Sequence, residues 1–295
     1  MRITQNMLNN NMLYNLGNSL SRMDRLQDMM STGKKISKPS HDPMVAIRGM
    51  LFRTKLSENE QYRANTDEAV NWLDQAESSI SEGGSILARI KDLITQAATD
   101  TNGVSEREKI SAEVRQLREQ LGTVANTTFA GKYIFSGTQI LTPPYNGTNI
   151  DSGINEDPIN LEVSTNIQVQ INVTAKEMFG EAPNSTFNML DKVISHLESD
   201  PAVTDELKAD LDEVQKHIDN LLKVRASVGG RTNRIELMQD RLETQHDGTE
   251  KMISDGEDAD PARVIIDLMN NENVYRSALG AGARIIQPSL LDFLR

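Results

Sequence analysis

The chain has 295 residues, 37% of them apolar and 4% aromatic, with a formal net charge of −12 and no cysteine. That apolar share is low for a compact enzyme of this length and suits helices that bury narrow seams. The acidic balance argues against broad contact with nucleic acid, whose phosphates select basic surfaces, and the lack of cysteine excludes disulfides and thiolate chemistry.

No apolar run approaches the length of a membrane-spanning helix. The first residues lack the basic start, apolar middle and small-residue cleavage site of a secretory signal peptide. Apolar residues at Leu8, Met12, Leu16, Leu20, Met23, Leu26 and Met30 step by fours and threes, which predicts a long amphipathic first helix. Its Leu- and Met-rich face could lie on a membrane surface, but its polar face is mainly Asn and Gln with few basic residues, so packing against protein is favoured. Ser31-Thr32-Gly33 ends the helix, with glycine supplying a left-handed cap. The loop from Lys34 to Pro43, with three lysines and two prolines, reads as a solvated linker. Helix resumes near Pro43 with Asp42 as its cap. Its pattern weakens from Ser57 to Glu60, which leaves its continuity there open.

From Ala69 a heptad stripe begins. Leu73, Ile80, Leu87 and Ile94 form one row, and Ala69, Ala76, Gly83, Ile90 and Ala97 form a second, mostly small row that lets a partner helix approach closely. Asp100-Thr101-Asn102-Gly103 predicts a turn, and Ile110, Val114, Leu117, Leu121 and Val124 mark the next helix. Between Gly131 and Pro183 the period changes to two. Ile159–Val163 and Ile167–Val173 alternate around Ser164-Thr165-Asn166, the pattern of a β-hairpin. Leu207, Val214, Leu221, Val228, Ile235 and Leu242 then recur every seven residues, predicting a helix roughly 60 Å long. Asp260 and Pro261 open the last helix as N-cap and first residue. Its apolar positions are Ile265, Leu268, Tyr275, Leu279, Gly282, Ile286, Leu290 and Phe293.

The expected fold is therefore mainly α: an elongated heptad-patterned helical rod, paired N- and C-terminal helices, and a small central β insert domain. The expected divisions are terminal helices at 1–42 plus 256–295, rod at 43–130 plus 185–255, and insert at 131–184. Neither terminal seam can stay in water, so the chain ends are expected to pair with each other or with neighbouring subunits. The expected assembly interface comprises Leu8, Met12, Leu16, Leu20, Met23, Leu26, Ile265, Leu268, Tyr275, Leu279, Ile286, Leu290 and Phe293.

Catalytic signals are absent from the sequence. Its four histidines (His41, His196, His217, His246) contain no paired motif at metal-ligand spacing, and His217 falls on what reads as a solvated helix flank. Asp255, Glu257, Asp258 and Asp260 lack the ligand order of a calcium loop, and helix capping explains them more simply. There is no phosphate-cradling glycine loop and no nucleophile elbow. No catalytic, cofactor-binding or metal residue is expected. The sequons at Asn126, Asn146, Asn172 and Asn184 are chance matches in an Asn- and Thr-rich chain.

Three stretches resemble the flagellin superfamily. They are Ser31-Thr32-Gly33-Lys34-Lys35-Ile36 with Ser40-His41-Asp42-Pro43; Ala125-Asn126-Thr127 with Gly131-Lys132-Tyr133-Ile134-Phe135-Ser136-Gly137-Thr138; and Glu257-Asp258-Ala259-Asp260 with the ending Gln287-Pro288-Ser289-Leu290-Leu291-Asp292-Phe293-Leu294. The middle stretch and the small insert resemble the junction-protein branch, although flagellins share the terminal helices. The resemblance implies an axial protein of the bacterial flagellum whose terminal helices form an inner tube layer. It implies contacts with hook-associated protein 1 and with flagellin, and self-association in a ring. It also implies unfolded export by the flagellar type III apparatus, with an export chaperone on the C-terminal region.

Overall fold

The computed structural model describes residues 5–98, 104–150, 153, 155–199 and 204–285. Among them the order is α1 (Gln5–Thr32), α2 (Pro43–Ala97), α3 (Val104–Ala125), β1 (Thr128–Phe129), β2 (Lys132–Tyr133), β3 (Asn160–Ser164), β4 (Ile167–Gln170), α4 (Ala175–Phe179), α5 (Thr186–Glu198), α6 (Thr204–Glu257) and α7 (Pro261–Ile285). The fold is mainly α, with two two-stranded antiparallel sheets. Two compact units result: Met1–Glu58 with Gln245–Arg295, and Asn59–Thr244.

Unit 59–244 holds the heptad seams. Leu73, Ile80, Leu87 and Ile94 of α2 and Leu207, Val214, Leu221, Val228 and Ile235 of α6 are all buried in one apolar core. The side-chain bonds between α2 and α6 fix an antiparallel register. Asn59 Nδ2 donates to the Leu242 carbonyl (3.1 Å), Gln239 Nε2 to Asp67 (2.7 Å), Arg225 Nε to Glu77 (2.7 Å) and Lys91 Nζ to Gln215 (2.7 Å). As the α2 number rises, its α6 partner falls, as antiparallel heptads require. α3 lies antiparallel to α2 as well, through Arg89 with Glu113 (2.7 Å) and Gln120 with Glu82 (3.3 Å).

α2 runs without a break through Ser57–Glu60 and through Gly83-Gly84. A Cβ on Gly83 would stand 3.7 to 3.9 Å from Leu121, Leu221 and Val124. Those are ordinary van der Waals distances, so an alanine would fit; glycine costs about 1 kcal/mol of helix propensity relative to Ala, and the packing of α3 and α6 on α2 at this layer holds the helix together.

The insert and the helices share this core. Val163, Val169, Ile171 and Phe179 belong to the same apolar cluster as the heptad residues. The expected hairpin forms, with Asn166 in the left-handed region (φ 61°) at its turn. Its second strand stops at Gln170 rather than Val173, because the buried Asn172 side chain takes over the backbone pairing. Asn172 Oδ1 accepts from the Ile159 amide (2.9 Å) and Nδ2 donates to the Asp157 carbonyl (3.1 Å). Thr174 then starts α4 with a full capping box. A second tight hairpin, β1–β2, turns through Ala130 (φ 49°) and Gly131 (φ 78°). Two positive φ values in a two-residue turn match strand twist. Aromatic rings join insert to helix: Tyr145 stacks on Phe187 (4.5 Å), Phe179 lies 5.5 Å from Phe187, and Trp72 meets Phe129 edge-on (6.1 Å).

His217 does not sit on a solvated flank. The ring is half-buried, with Nδ1 3.0 Å from the buried Thr186 hydroxyl. Thr186 Oγ1 donates to the Phe179 carbonyl (3.1 Å), so His217 Nδ1 donates to Thr186.

Two outcomes are expected in unit 59–244. Leu221→Ala, which empties the α2–α3–α6 layer, costs about 2–5 kcal/mol, whereas Leu222→Ala next to it, at a 55%-exposed position, changes stability by less than about 0.5 kcal/mol. Urea unfolding of both variants checks the contrast. The second outcome concerns pH. Burial lowers the pKa of His217 below the usual imidazole value, against an opposing pull from Glu213. A depressed folded pKa means that stability is full above the unfolded value, about 6.5, and is lost as pH falls from there through the folded value. His217→Gln therefore shows a smaller fall in Tm between pH 7 and pH 5 than the parent. An equal fall in both proteins removes His217 as its source.

Candidate assembly interface

Unit 1–58 with 245–295 is built around a clasp between the two chain reversals. Gly33 closes α1 in the left-handed region (φ 70°), as the sequence predicts. The strand-like residue Lys34 then bridges Asp258. The Lys35 amide donates to the Glu257 carbonyl (2.6 Å), and the Ala259 amide donates to the Gly33 carbonyl (2.8 Å). Side chains reinforce the join: Lys34 Nζ lies 3.3 Å from Glu257 and 3.2 Å from Asp258, Lys35 Nζ donates to the Asp255 carbonyl (3.0 Å), and Arg53 pairs with Glu257.

The lysine loop is thus no solvated linker. Its first two lysines are spent on the acidic segment Asp255–Asp258 of the same chain, which sequence spacing alone could not bring together. Asp258 and Glu257, in that order, hold the Lys34 ammonium above the usual lysine value. Ser254, then Lys34, hold the Asp258 carboxyl below the usual range. Of Asp255, Glu257, Asp258 and Asp260, Asp260 caps a helix, accepting from the Ala262 and Arg263 amides, while the other three serve the clasp; Asp42, as expected, caps α2 by accepting from the Met44 and Val45 amides.

Glu257 is the buried member, with only 8% of its side chain exposed. Its carboxylate lies over the bare backbone of Gly49, where any Cβ would collide with it. Glycine at 49 therefore allows a charged group to be buried beside α2 with two cations to neutralise it.

The clasp also sets how the terminal helices pair. α1 runs into it and α7 runs out of it, so the two lie antiparallel, and α1 packs on α7. Far from the clasp, Met12 lies against Gly282, in the space a Cβ would fill. These two fixed points define one register along both helices. Met12, Leu16, Met23 and Leu26 on α1 are half-buried, as are Leu268 and Tyr275 on α7, while Val264 and Gly282 are fully covered. Leu8 and Leu20, and Ile265 and Leu279, are exposed instead. Ile286, Leu290 and Phe293 lie outside the described residues. The sequence pattern did not single out Val264, because Ile265 beside it satisfies a seam period equally well.

The pair leaves much apolar surface uncovered. Among the described residues, Val264 is the only apolar side chain of this unit counted in the buried set. Of the described residues, all the exposed large apolar side chains except Leu141, Leu222 and Leu237 belong to this unit. They include Leu13 (58%), Tyr14 (71%), Ile266 (59%) and Met269 (60%). A further apolar cleft of about 400 Å³, lined by Val45, Gly49, Phe52, Met252 and Ile253, opens beside Glu257. Exposed apolar surface on this scale marks an interaction face.

Breaking the clasp should loosen this unit selectively. Glu257→Gln takes the carboxylate from Arg53 and leaves Lys34 with Asp258 alone. Both cations are part-exposed and rehydrate, so the cost is about 1–2 kcal/mol rather than the full penalty of an orphaned buried charge. Gly49→Ala should reproduce the effect by displacing the carboxylate. Hydrogen exchange reads it: α1 and α7 amides lose protection in both variants, while amides of residues 59–244 keep theirs.

Comparison with known proteins agrees with this architecture. The bacterial flagellin N-terminal helical region matches residues 3–140. Flagellar hook-associated protein 3 of Escherichia coli is 26% identical over 282 residues, covering 88% of this chain and 89% of that one. In fold, the chain is similar to a flagellar hook-associated protein from Vibrio parahaemolyticus, with TM-score 0.68, 23% identity, and coverage of 74% of this chain and 100% of that one. It is also similar in fold to the flagellar junction protein of Legionella pneumophila, with TM-score 0.60, 15% identity, and coverage of 71% and 99%. The paired terminal helices, the heptad unit with its small insert, and these likenesses lead to one conclusion: the chain is similar to the flagellin N-terminal helical region over residues 3–140 and to flagellar hook-associated protein 3 over most of its length.

Proposed function

We propose that this chain is the structural subunit that joins the hook to the flagellin filament, acting through its terminal-helix unit and without catalysis. One observation carries the reading: the terminal unit exposes long apolar stripes on α1 and α7 while counting a single fully covered apolar side chain of its own among the described residues. Such a unit gains most of its burial from neighbouring subunits.

In this reading the terminal helices (1–42 plus 256–295) pack as an inner layer in a ring of identical subunits. The helical segments (43–130 plus 185–255) carry load outside it, and the β insert (131–184) lies on the outside. Leu8, Leu20, Ile265 and Leu279 meet neighbours, and Met12, Leu16, Met23, Leu26, Leu268 and Tyr275 hold the pair together. The sequence pattern assigns Ile286, Leu290 and Phe293 to the same interface. Hook-associated protein 1 on the hook side and flagellin on the filament side are the partners, and an export chaperone holds the C-terminal region before unfolded export by the flagellar type III apparatus. The family is one of structural flagellar components, which form part of an external organelle. The E. coli hook-associated protein 3, 26% identical over 88% of this chain, supports the junction role.

Ile266→Asp tests the proposal. The side chain is exposed in the monomer, so thermal stability stays nearly unchanged. In an assembly the loss is that of a buried Ile, about 1.5–3 kcal/mol, plus several kcal/mol for an unpaired carboxylate, at every subunit. Cells whose only copy carries the variant should secrete it normally, build hooks and shed flagellin into the medium. Intact filaments on those cells would overturn the interface role. Filaments grown from the purified parent chain alone would favour the flagellin reading.

A further inference from the structure

Apart from the assembly face, α6 carries a compact group of metal-ligating side chains. His246, Asp247 and Glu250 can each offer one donor atom such that all three lie within 4.8 Å of one another. His246 is the anchor: its side chain is only 22% exposed, and Nδ1 stands 3.4 Å from Asp247 Oδ1. Glu250 follows His246 by one helical turn, the spacing that places two side chains over the same patch of helix surface.

We propose that His246, Asp247 and Glu250 bind a divalent transition-metal ion of the zinc, cobalt and nickel class. A tetrahedral ion with ligands at about 2.0–2.1 Å sets its donors roughly 3.4 Å apart. The His246–Asp247 pair already has that separation, and the exposed Glu250 carboxylate closes the remainder by a rotamer adjustment. One imidazole with two carboxylates selects borderline transition metals over calcium and magnesium, which favour all-oxygen shells. Three protein ligands leave at least one coordination position for water.

The other histidines provide the contrast. His196 has Asp210 on Nδ1 (2.7 Å) and Glu206 on Nε2 (3.3 Å), so its two carboxylates sit on opposite ring edges and cannot share one ion with the same nitrogen. The Nδ1 of His217 is committed to the Thr186 hydroxyl. Because the three donors converge only on a folded helix, the ion binds the native state and stabilises it by linkage. Binding also weakens at acid pH, where protons compete for the imidazole.

The test uses the full chain with any histidine tag removed. Isothermal titration with zinc, and visible absorption with cobalt, should show about one equivalent bound with Kd on the order of 10 μM, a modest affinity for an open site with three ligands. His246→Ala weakens binding by at least about tenfold, and Glu250→Gln weakens it by a smaller factor. His41→Ala leaves it unchanged, and circular dichroism confirms that each variant is folded. Three results would each overturn the proposal: no binding at about 1 mM metal, affinity and stoichiometry unchanged in a folded His246→Ala variant, or calcium bound as tightly as zinc.

Discussion

Two helices lying side by side can cover only one stripe of each other, and that geometric limit governs the terminal unit of this protein. α1 and α7 bury a seam from Met12 and Gly282 at one end to Leu26 and Leu268 near the clasp. Apolar side chains outside that stripe, such as Leu13, Tyr14, Ile266 and Met269, face water until something else arrives. A third helix would have closed the surface, as α3 does for α2 and α6 at the Gly83 layer. Leaving it open makes the unit a component of an assembly rather than a finished domain.

The two units differ in how they gain stability. Residues 59–244 have a thick core in which heptad rows, insert strands and stacked aromatic rings are mutually buried. Their polar contacts are mainly peripheral, such as Arg115 with Glu198 (2.6 Å) at the exposed edge of α3, and contacts of that kind contribute little each. The terminal unit has the reverse balance. Its apolar burial is thin, and its defined geometry comes from backbone bonds and a part-buried ion network at Glu257. Directional bonds can fix a register without much burial, which a unit that buries its faces elsewhere requires.

Three short segments carry this arrangement. The loop at Gly33-Lys34-Lys35, Gly49 on α2, and Asp255–Ala259 are far apart in the chain but meet at one place. Two of them are stretches on which the resemblance to the flagellin superfamily rests. Their shared role here is physical: a left-handed glycine ends one helix, a lysine pair meets an acidic turn, and a glycine makes room for the carboxylate between them.

Periodicity determined the long helices, their buried rows from Leu73 to Ile94 and from Leu207 to Leu242, and the β-hairpin at Asn160–Gln170, and an aspartate before proline determined the caps at Asp42 and Asp260. These follow from spacing along one segment, and neither 3.5- nor 2-residue periods need a partner to be read. Tertiary structure decided the rest. It chose Val264 over Ile265 for the buried side of α7, because adjacent apolar residues satisfy one period equally and only the register with α1 separates them. It ended β4 at Gln170, because the Asn172 side chain replaces ladder bonds. It half-buried His217 under Thr186, and it turned a basic loop and an acidic turn into a clasp, because opposite charges 223 residues apart leave no local pattern by which to recognise each other.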